Sequence, residues 1–219
     1  MKYYFPSCNF NQLFKELNMN IKKYLKVHSV QTLGCCRLDN TIPKKDDLVL
    51  TICTNCNLVL KEICQGEVVF LWEHLNKDET FLLPDFTGDH FIIQHCAKAD
   101  NNQKEAVCNL IHKTGASFSV SEFDHFCGYN FMQHMSQANL KIAPVIFSEL
   151  DNQVTVLDKN QQEKKINDMV KSYKQEKVIV YCNSCYKTLK NKGVNVFHLA
   201  ELMFRENMVF DQLNNHGDV

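Results

Sequence analysis

The chain contains no long apolar stretch, and its N-terminal residues do not have the pattern of a secretion signal. No run approaches the roughly 18 to 20 apolar residues that a membrane-spanning helix needs, so we expect no direct insertion into a membrane. Residues 1–6 lack the apolar stretch and the small-residue cleavage site of a secretory signal. These absences predict a cytoplasmic protein.

Motifs that bind nucleotides and surfaces that bind nucleic acids are also missing. The seven glycines never form Gly-x-Gly-x-x-Gly, and no Gly-x-x-x-x-Gly-Lys-Ser/Thr is present, so no dinucleotide or nucleoside triphosphate site is expected. The formal net charge is −1, and acidic residues are interspersed among the lysines, which leaves no basic footprint for nucleic acid. Any redox catalysis would therefore depend on partner proteins that carry a flavin or nicotinamide.

Cysteine, in contrast, is abundant. The chain has 11 cysteines, although its 45% hydrophobic and 22% charged residues are those of an ordinary globular protein. In a reducing compartment, thiols serve metal ligation or redox chemistry more often than structural disulfides. The functional interpretation therefore rests on the cysteines.

Two segments of the chain resemble one another. Residues 47–61 and 177–190 each contain a short β-rich run, then Cys-x-x-Cys, then a helical pattern, and a second apolar run follows each of them. Each half also begins with an apolar run that ends at a cysteine, over residues 2–8 and 90–96. Each half is therefore predicted to have the order β-α-β, a cysteine loop, and β-α-β again.

This repeat predicts an α/β protein with two similar lobes, each a small, mostly parallel sheet flanked by helices. The cysteine loops are expected at the carboxyl ends of the strands, where loops from several parallel strands converge. Pro84 and Gly88 mark a linker. We therefore expect a first cysteine-rich lobe over residues 1–83, a second over residues 88–206, and a polar tail over residues 207–219.

Apolar residues at helical spacing predict three further helices. The first covers residues 10–25, the second covers residues 106–111 and the third covers residues 161–175. Gly115 is expected to end the second helix, because glycine readily adopts the left-handed backbone conformation that follows a helix.

Nine of the cysteines divide into two sets. The first set is Cys8, Cys35, Cys36, Cys53 and Cys56, and the second set is Cys96, Cys127, Cys182 and Cys185. Cys53 and Cys182 precede predicted helices, where free backbone N–H groups and the positive end of the dipole favour the thiolate that ligates iron or zinc. Five soft ligands exceed the four of a tetrahedral zinc site, which favours an iron–sulfur cluster in the first half. Cys64 and Cys108 have no counterparts and are expected in the core.

The arrangement resembles the cysteine-rich, or CCG, domain found in heterodisulfide reductase and in iron–sulfur subunits of lactate, glycolate and glycerol-3-phosphate oxidation. Each lobe of that family carries a cysteine, a distant Cys-Cys-Gly and a later Cys-x-x-Cys, and the resemblance spans residues 2–204. It implies that the nine cysteines hold noncubane or cubane four-iron clusters. It also implies an electron-transfer or disulfide-reducing subunit with flavoprotein or ferredoxin-type partner subunits.

The chain departs from the family pattern in both halves. Arg37 stands where the first glycine is expected, and 16 residues separate Cys36 from Cys53, a short interval. Phe126 replaces one cysteine of the second set, which makes a four-iron cubane or a zinc ion an alternative there. Two other functions stay open at this point: a zinc-binding structural or interaction protein without a redox role, and a metal-free dithiol–disulfide oxidoreductase.

Overall fold

The computed structural model describes residues 1–39, 41–123 and 132–204. In the first half the elements are β1 (Lys2–Phe5), α1 (Cys8–Leu13), α2 (Lys15–Val27), β2 (Gln31–Thr32), β3 (Leu48–Thr51), α3 (Thr54–Ile63), β4 (Glu67–Phe70) and α4 (Leu71–Lys77). In the second half they are β5 (His90–Ile93), α5 (Asn101–Lys113), β6 (Ser117–Val120), α6 (Gln137–Ile142), α7 (Pro144–Asp151), α8 (Lys159–Ser172), β7 (Val178–Val180), α9 (Asn183–Asn191), β8 (Val196–His198) and α10 (Leu199–Met203).

Each half is built on a four-stranded sheet in which all neighbouring strands are parallel. The strand order is β2-β1-β3-β4 in the first sheet and β6-β5-β7-β8 in the second. The chain passes from β1 to β2 on one side of the pair β1–β3, and from β3 to β4 on the opposite side. The loops that follow β1 and β3 therefore diverge and leave a crevice at the carboxyl edge of the sheet. The same holds for β5 and β7. The predicted α/β fold with two similar lobes is confirmed.

The helix predicted over residues 10–25 is interrupted at Phe14. This residue ends α1 and precedes α2 with φ −134° and ψ 56°, outside the helical region. Its ring lies 4.9 Å from the ring of Tyr186 and 5.2 Å from that of His198, both in the second half. Packing between the two halves therefore accompanies the break in a segment whose local pattern favours one continuous helix.

The other two predicted helices form close to their expected positions. The segment 106–111 lies within α5, which begins where the Asp100 side chain accepts a hydrogen bond from the Gln103 N–H at 2.9 Å. Gly115 follows the helix with φ 78°, as predicted. The segment 161–175 corresponds to α8, which ends three residues earlier than expected.

The described residues form three apolar clusters: one runs through both halves, a second joins the first sheet to α7, and a third lies in the second half. In the shared core the ring of Phe70 at the end of β4 lies 5.8 Å from the ring of Tyr181 after β7. In the second core Phe5 and Val49 pack with Phe147 of α7. The sequence pattern did not indicate α6 and α7, which follow β6 in the chain but pack on the first sheet. In the described ranges, no helix combines the length and apolar character needed to cross a membrane.

Candidate metal centre

The crevice of the first sheet brings the first cysteine set together. Cys8 is the first residue of α1, directly after β1, and Cys53 precedes α3, directly after β3. Cys56 lies one turn into α3, whereas Cys35 and Cys36 occupy the loop after β2. All five cysteines line one cavity of about 230 Å³ at the carboxyl edge of the sheet. The predicted set is therefore assembled from three separate loops.

The five thiols are connected to one another by direct contacts. The Cys8 thiol contacts that of Cys35, Cys36 contacts Cys35 and Cys56, and Cys53 contacts Cys56. The hydrogen bond with Cys56 is the main cause that lowers the pKa of Cys53 to about 6, against the opposing effect of burial. The hydrogen bond with Cys35, together with burial, raises the pKa of Cys8 to about 11. The site therefore contains both readily ionised and protonated thiols.

The loop that carries Cys35 and Cys36 is held by an aspartate and an arginine. The Asp39 carboxylate accepts hydrogen bonds from the backbone N–H groups of Gly34 at 2.6 Å and Thr41 at 2.9 Å. A Cβ atom at Gly34 would stand 2.9 Å from Asp39 Oδ2, so a larger residue there would displace the end of the Asp39 side chain. Arg37 donates to the backbone oxygen of Ala138 at 3.3 Å.

Three cysteines of the second set meet in the corresponding place in the second half. Cys96 follows β5, and Cys182 precedes α9 directly after β7. The thiol of Cys182 contacts those of Cys185 and Cys96, and these hydrogen bonds lower the pKa of Cys182 well below its usual value. Cys127, the fourth predicted member, lies outside the described residues. The structure therefore places three of the four predicted residues together.

A buried hydrogen-bond network supports the Cys96 loop. The Tyr181 hydroxyl accepts from the Cys96 backbone N–H at 3.1 Å and lies 3.0 Å from Nδ1 of His95. His95 Nε2 in turn lies 3.6 Å from the Sγ atom of Cys108. Cys108 packs at the edge of the shared core, as expected for a cysteine outside both sets. Tyr181 and His95 thus fix the backbone next to a candidate ligand.

Polar side chains connect α3 to the segment around the N-terminus of α5, next to both cysteine sets. Lys98 Nζ donates to Asn55 Oδ1 at 2.6 Å, and Gln103 Nε2 donates to Asn57 Oδ1 at 2.9 Å. Sequence reasoning missed Lys98. The sequence signal that could have indicated Lys98 was its position two residues after Cys96, because a cation there lies beside the thiolates.

A smaller pocket lies between the two sets and is lined by Cys53, Cys96 and Cys182, together with residues at the N-termini of α3 and α9. The charge of the Cys182 thiolate affects the pKa of Cys53, which shows that the two cysteines are electrostatic neighbours. Among residues 1–39, 41–123 and 132–204, no group of three or more His, Cys, Asp or Glu side chains is arranged to hold a metal ion. The thiols of the first set instead contact one another in pairs along the cavity wall.

Comparison with known proteins gives a structural neighbour of low similarity. No protein-family model matches the chain, and no curated protein matches it. Aspartate racemase of Picrophilus torridus is similar in structure, with a TM-score of 0.36 and 8% sequence identity. The match covers 99% of this chain and 94% of the racemase chain.

Proposed function

We propose that Cys8, Cys35, Cys36, Cys53 and Cys56 bind an iron–sulfur cluster, and that the chain is an electron-transfer subunit of CCG type. The observation that carries the proposal is the convergence of these five cysteines, from three loops, on one cavity of about 230 Å³. Five thiols are one more than a tetrahedral zinc ion accepts, and soft thiolate ligands suit iron–sulfur clusters.

The chain's own residues supply the conditions for thiolate ligation. Cys53 stands at the N-terminus of α3, a ten-residue helix whose free N–H groups stabilise negative charge. The contact with Cys56 lowers the pKa of Cys53 further. Since a thiol must lose its proton before it ligates metal, Cys53 is the residue best prepared to bind first. A bound iron–sulfur cluster would supply one-electron transfer.

The second set is proposed to hold a second centre, a four-iron cluster or a zinc ion, through Cys96, Cys127, Cys182 and Cys185. Its support is the contact of Cys182 with Cys96 and Cys185 in a crevice equivalent to the first. Cys53 and Cys182 line the same small pocket, so two such centres would be neighbours. In this proposal electrons enter from a flavoprotein or ferredoxin-type partner in the cytoplasm and pass to an acceptor or a substrate disulfide.

Metal analysis under strictly anaerobic conditions tests this proposal. We expect a brown protein with broad visible absorbance, and with iron and sulfide in equal amounts at about four or more atoms of each per chain. A colourless protein that retains zinc through reconstitution with iron and sulfide would overturn the proposal. Turnover with an excess of a one-electron donor and a disulfide substrate then distinguishes a reductase, which takes up two electrons and two protons per disulfide and yields two thiols, from an electron relay, which yields none.

A further inference from the structure

Three buried polar side chains in the second half form one hydrogen-bond network. They are Gln94 directly after β5, Ser121 directly after β6 and Tyr173 directly after α8. The Tyr173 hydroxyl donates to Gln94 Oε1, and because its single proton is used there, the Ser121 hydroxyl at 2.5 Å donates to Tyr173. Burial raises the pKa of Tyr173, so its hydroxyl stays protonated and keeps this role.

The network holds backbone on two neighbouring loops. The Ser121 hydroxyl accepts from the Phe123 N–H at 3.1 Å. The Gln94 amide nitrogen donates to the Phe123 oxygen at 2.6 Å and to the His95 oxygen at 3.1 Å. His95 directly precedes Cys96 in the chain. The loop after β6 and the residues that lead to Cys96 are therefore tied to the same three side chains.

The loop after β6 is the counterpart of the loop that carries Cys35 and Cys36 in the first half. β6 lies at the edge of the second sheet beside β5, as β2 lies at the edge of the first sheet beside β1. In the first half the Asp39 carboxylate holds this loop through backbone N–H groups. In the second half the Ser121 hydroxyl accepts from a backbone N–H at the start of the segment that, in the sequence, leads to Cys127.

Tyr173 is also a neighbour of Cys185. Both belong to the apolar cluster of the second half, and a thiolate at Cys185 acts on the pKa of Tyr173. The ring of Phe123 lies 6.5 Å from that of Tyr173. The described chain resumes at Met132, a buried member of the same cluster, whose backbone oxygen accepts from the Leu157 N–H at 3.0 Å. Tyr173 thus connects a cysteine on α9 with the loops after β5 and β6.

We propose that Tyr173 is a positioning residue for the second metal centre and acts through Gln94 and Ser121 on the backbone that leads to its cysteines. Ligands that are held in place before metal binds lose less conformational entropy on binding. Groups that orient metal ligands typically contribute about 10–100-fold to metal affinity. The inference rests on the proposed function, because it requires that the second set binds metal, and it adds the residues that organise that set.

Cobalt(II) titration of the metal-free, reduced, full-length protein tests the proposal under anaerobic conditions. Cobalt bound by thiolates absorbs visibly, so the titration gives an affinity without any activity measurement. Every sample carries three substitutions that leave the first set only two thiols, and this chain is called the reference protein: Cys36→Ser, Cys53→Ser and Cys56→Ser. Adding Cys182→Ser is expected to abolish the absorbance, which assigns it to the second set.

Two variants of the reference protein remove parts of the network. Tyr173→Phe keeps the ring and removes only the hydroxyl, and it is expected to weaken cobalt binding by about tenfold or more. Ser121→Ala removes the acceptor of the Phe123 N–H and is expected to weaken binding in the same direction. The two changes break the network at different points, so a failure of one variant to fold leaves the other to decide.

Tyr24→Phe is the matched control. The buried Tyr24 hydroxyl donates to Asp78 Oδ2 at 2.7 Å, in the first half and on α2. This variant therefore also loses a buried tyrosine hydroxyl with a hydrogen bond, and urea denaturation is expected to show a comparable loss of stability. Its cobalt affinity should equal that of the reference protein. A difference between the two tyrosine variants separates positioning of the metal ligands from general destabilisation.

Equal cobalt affinities in the reference protein, Tyr173→Phe and Ser121→Ala would overturn the positioning role, as would an equal loss in Tyr24→Phe or the absence of thiolate–cobalt absorbance in the reference protein. Iron and sulfide measured on the unaltered chain separate these results from a failure of the proposed function. A brown protein with full iron content and cobalt binding that is independent of Tyr173 contradicts only this inference. A colourless protein whose cobalt binding depends on Tyr173 contradicts only the iron–sulfur proposal.

Discussion

The guanidinium group of Arg37 is hydrogen-bonded to the side-chain oxygen of Asn139, 102 positions further along the chain. Arg37 follows Cys36 directly, at the position where the resemblance noted in the sequence predicts glycine. Its second hydrogen bond, to Ala138, joins the same loop to α6. The arginine at this position therefore has a structural role of its own: it links the cysteine loop of the first half to a helix of the second half.

The link between Arg37 and α6 gives the first prediction. Arg37→Ala is expected to lower the free energy of unfolding by about 1–2 kcal/mol, since it removes the two hydrogen bonds that this charged donor makes to Ala138 and Asn139. Urea denaturation measures the change. Lys45→Ala, in an exposed loop, serves as the matched control and should alter stability by less than about 0.5 kcal/mol. Equal losses in the two variants would show that the Arg37 contact contributes nothing.

The second prediction concerns Cys56, which contacts both Cys36 and Cys53. Cys56→Ser is expected to reduce the iron bound per chain by at least the content of one cluster, because it removes the thiol at the centre of the contact chain. Cys64→Ser is the control, since the Cys64 thiol lies outside the cavity, where it contacts the Gly66 backbone oxygen at 3.9 Å. Full iron content in both variants would contradict ligation by the first set.

The convergence of the cysteines could be predicted because it follows from sheet topology. Cys8 and Cys53 each follow an apolar run, and parallel strands end at one edge of a sheet, so these residues meet wherever their strands are neighbours. The repeat supplied the same inference for Cys96 and Cys182. Local pattern and strand direction are sufficient for this part of the site.

Features that depend on packing between distant segments could not be predicted in this way. The break at Phe14 accompanies ring contacts with Tyr186 and His198, which no local pattern encodes. The helices α6 and α7 are short, and their apolar residues are matched to the first sheet, on which they pack. The local sequence around Lys98 predicts an ordinary surface lysine, whereas the fold buries it beside Asn55.

The third prediction concerns Tyr181, whose hydroxyl holds the backbone at Cys96. Tyr181→Phe leaves the buried Cys96 N–H without this acceptor, which is expected to cost about 1–3 kcal/mol of unfolding free energy. Tyr3→Phe is the control, because the Tyr3 hydroxyl donates to the Met1 sulfur at 3.2 Å, which is a weak acceptor. Chemical denaturation of the two variants compares the costs. A smaller loss in Tyr181→Phe than in Tyr3→Phe would contradict the role of Tyr181.

The fourth prediction tests whether α7 is part of the core of the first half. Phe147 is fully buried, and it packs with Phe5 and Val49 of the first sheet. Phe147→Ala is expected to lower the free energy of unfolding by about 3–5 kcal/mol, the usual cost of removing a buried aromatic ring. Val145→Ala, at a side chain that is 61% exposed on the same helix, should cost less than about 1 kcal/mol. Similar costs at the two positions would mean that α7 is loosely attached in solution.

The fifth prediction is a loss of stability in mild acid that depends on His198. The ring lies among Phe10, Phe14 and Tyr186, and burial lowers the pKa of His198 to about 3 from its usual 6.5. Between these two values the unfolded chain binds a proton that the folded protein does not, so stability is fully present above pH 6.5 and is lost as the pH falls. Lowering the pH from about 7 to about 5 is expected to remove about 2 kcal/mol of unfolding free energy through this residue.

Unfolding of His198→Asn at the same pH values isolates this contribution. Asparagine keeps an acceptor near the Ala200 N–H, which His198 Nδ1 accepts from at 3.2 Å, so the start of α10 retains its cap. Burial also lowers the pKa of His74, which contributes a slope of the same sign in both proteins and cancels in the comparison. The variant should therefore lose less stability over this pH interval than the unaltered chain. Parallel stability curves would mean that His198 accepts a proton without leaving its aromatic surroundings.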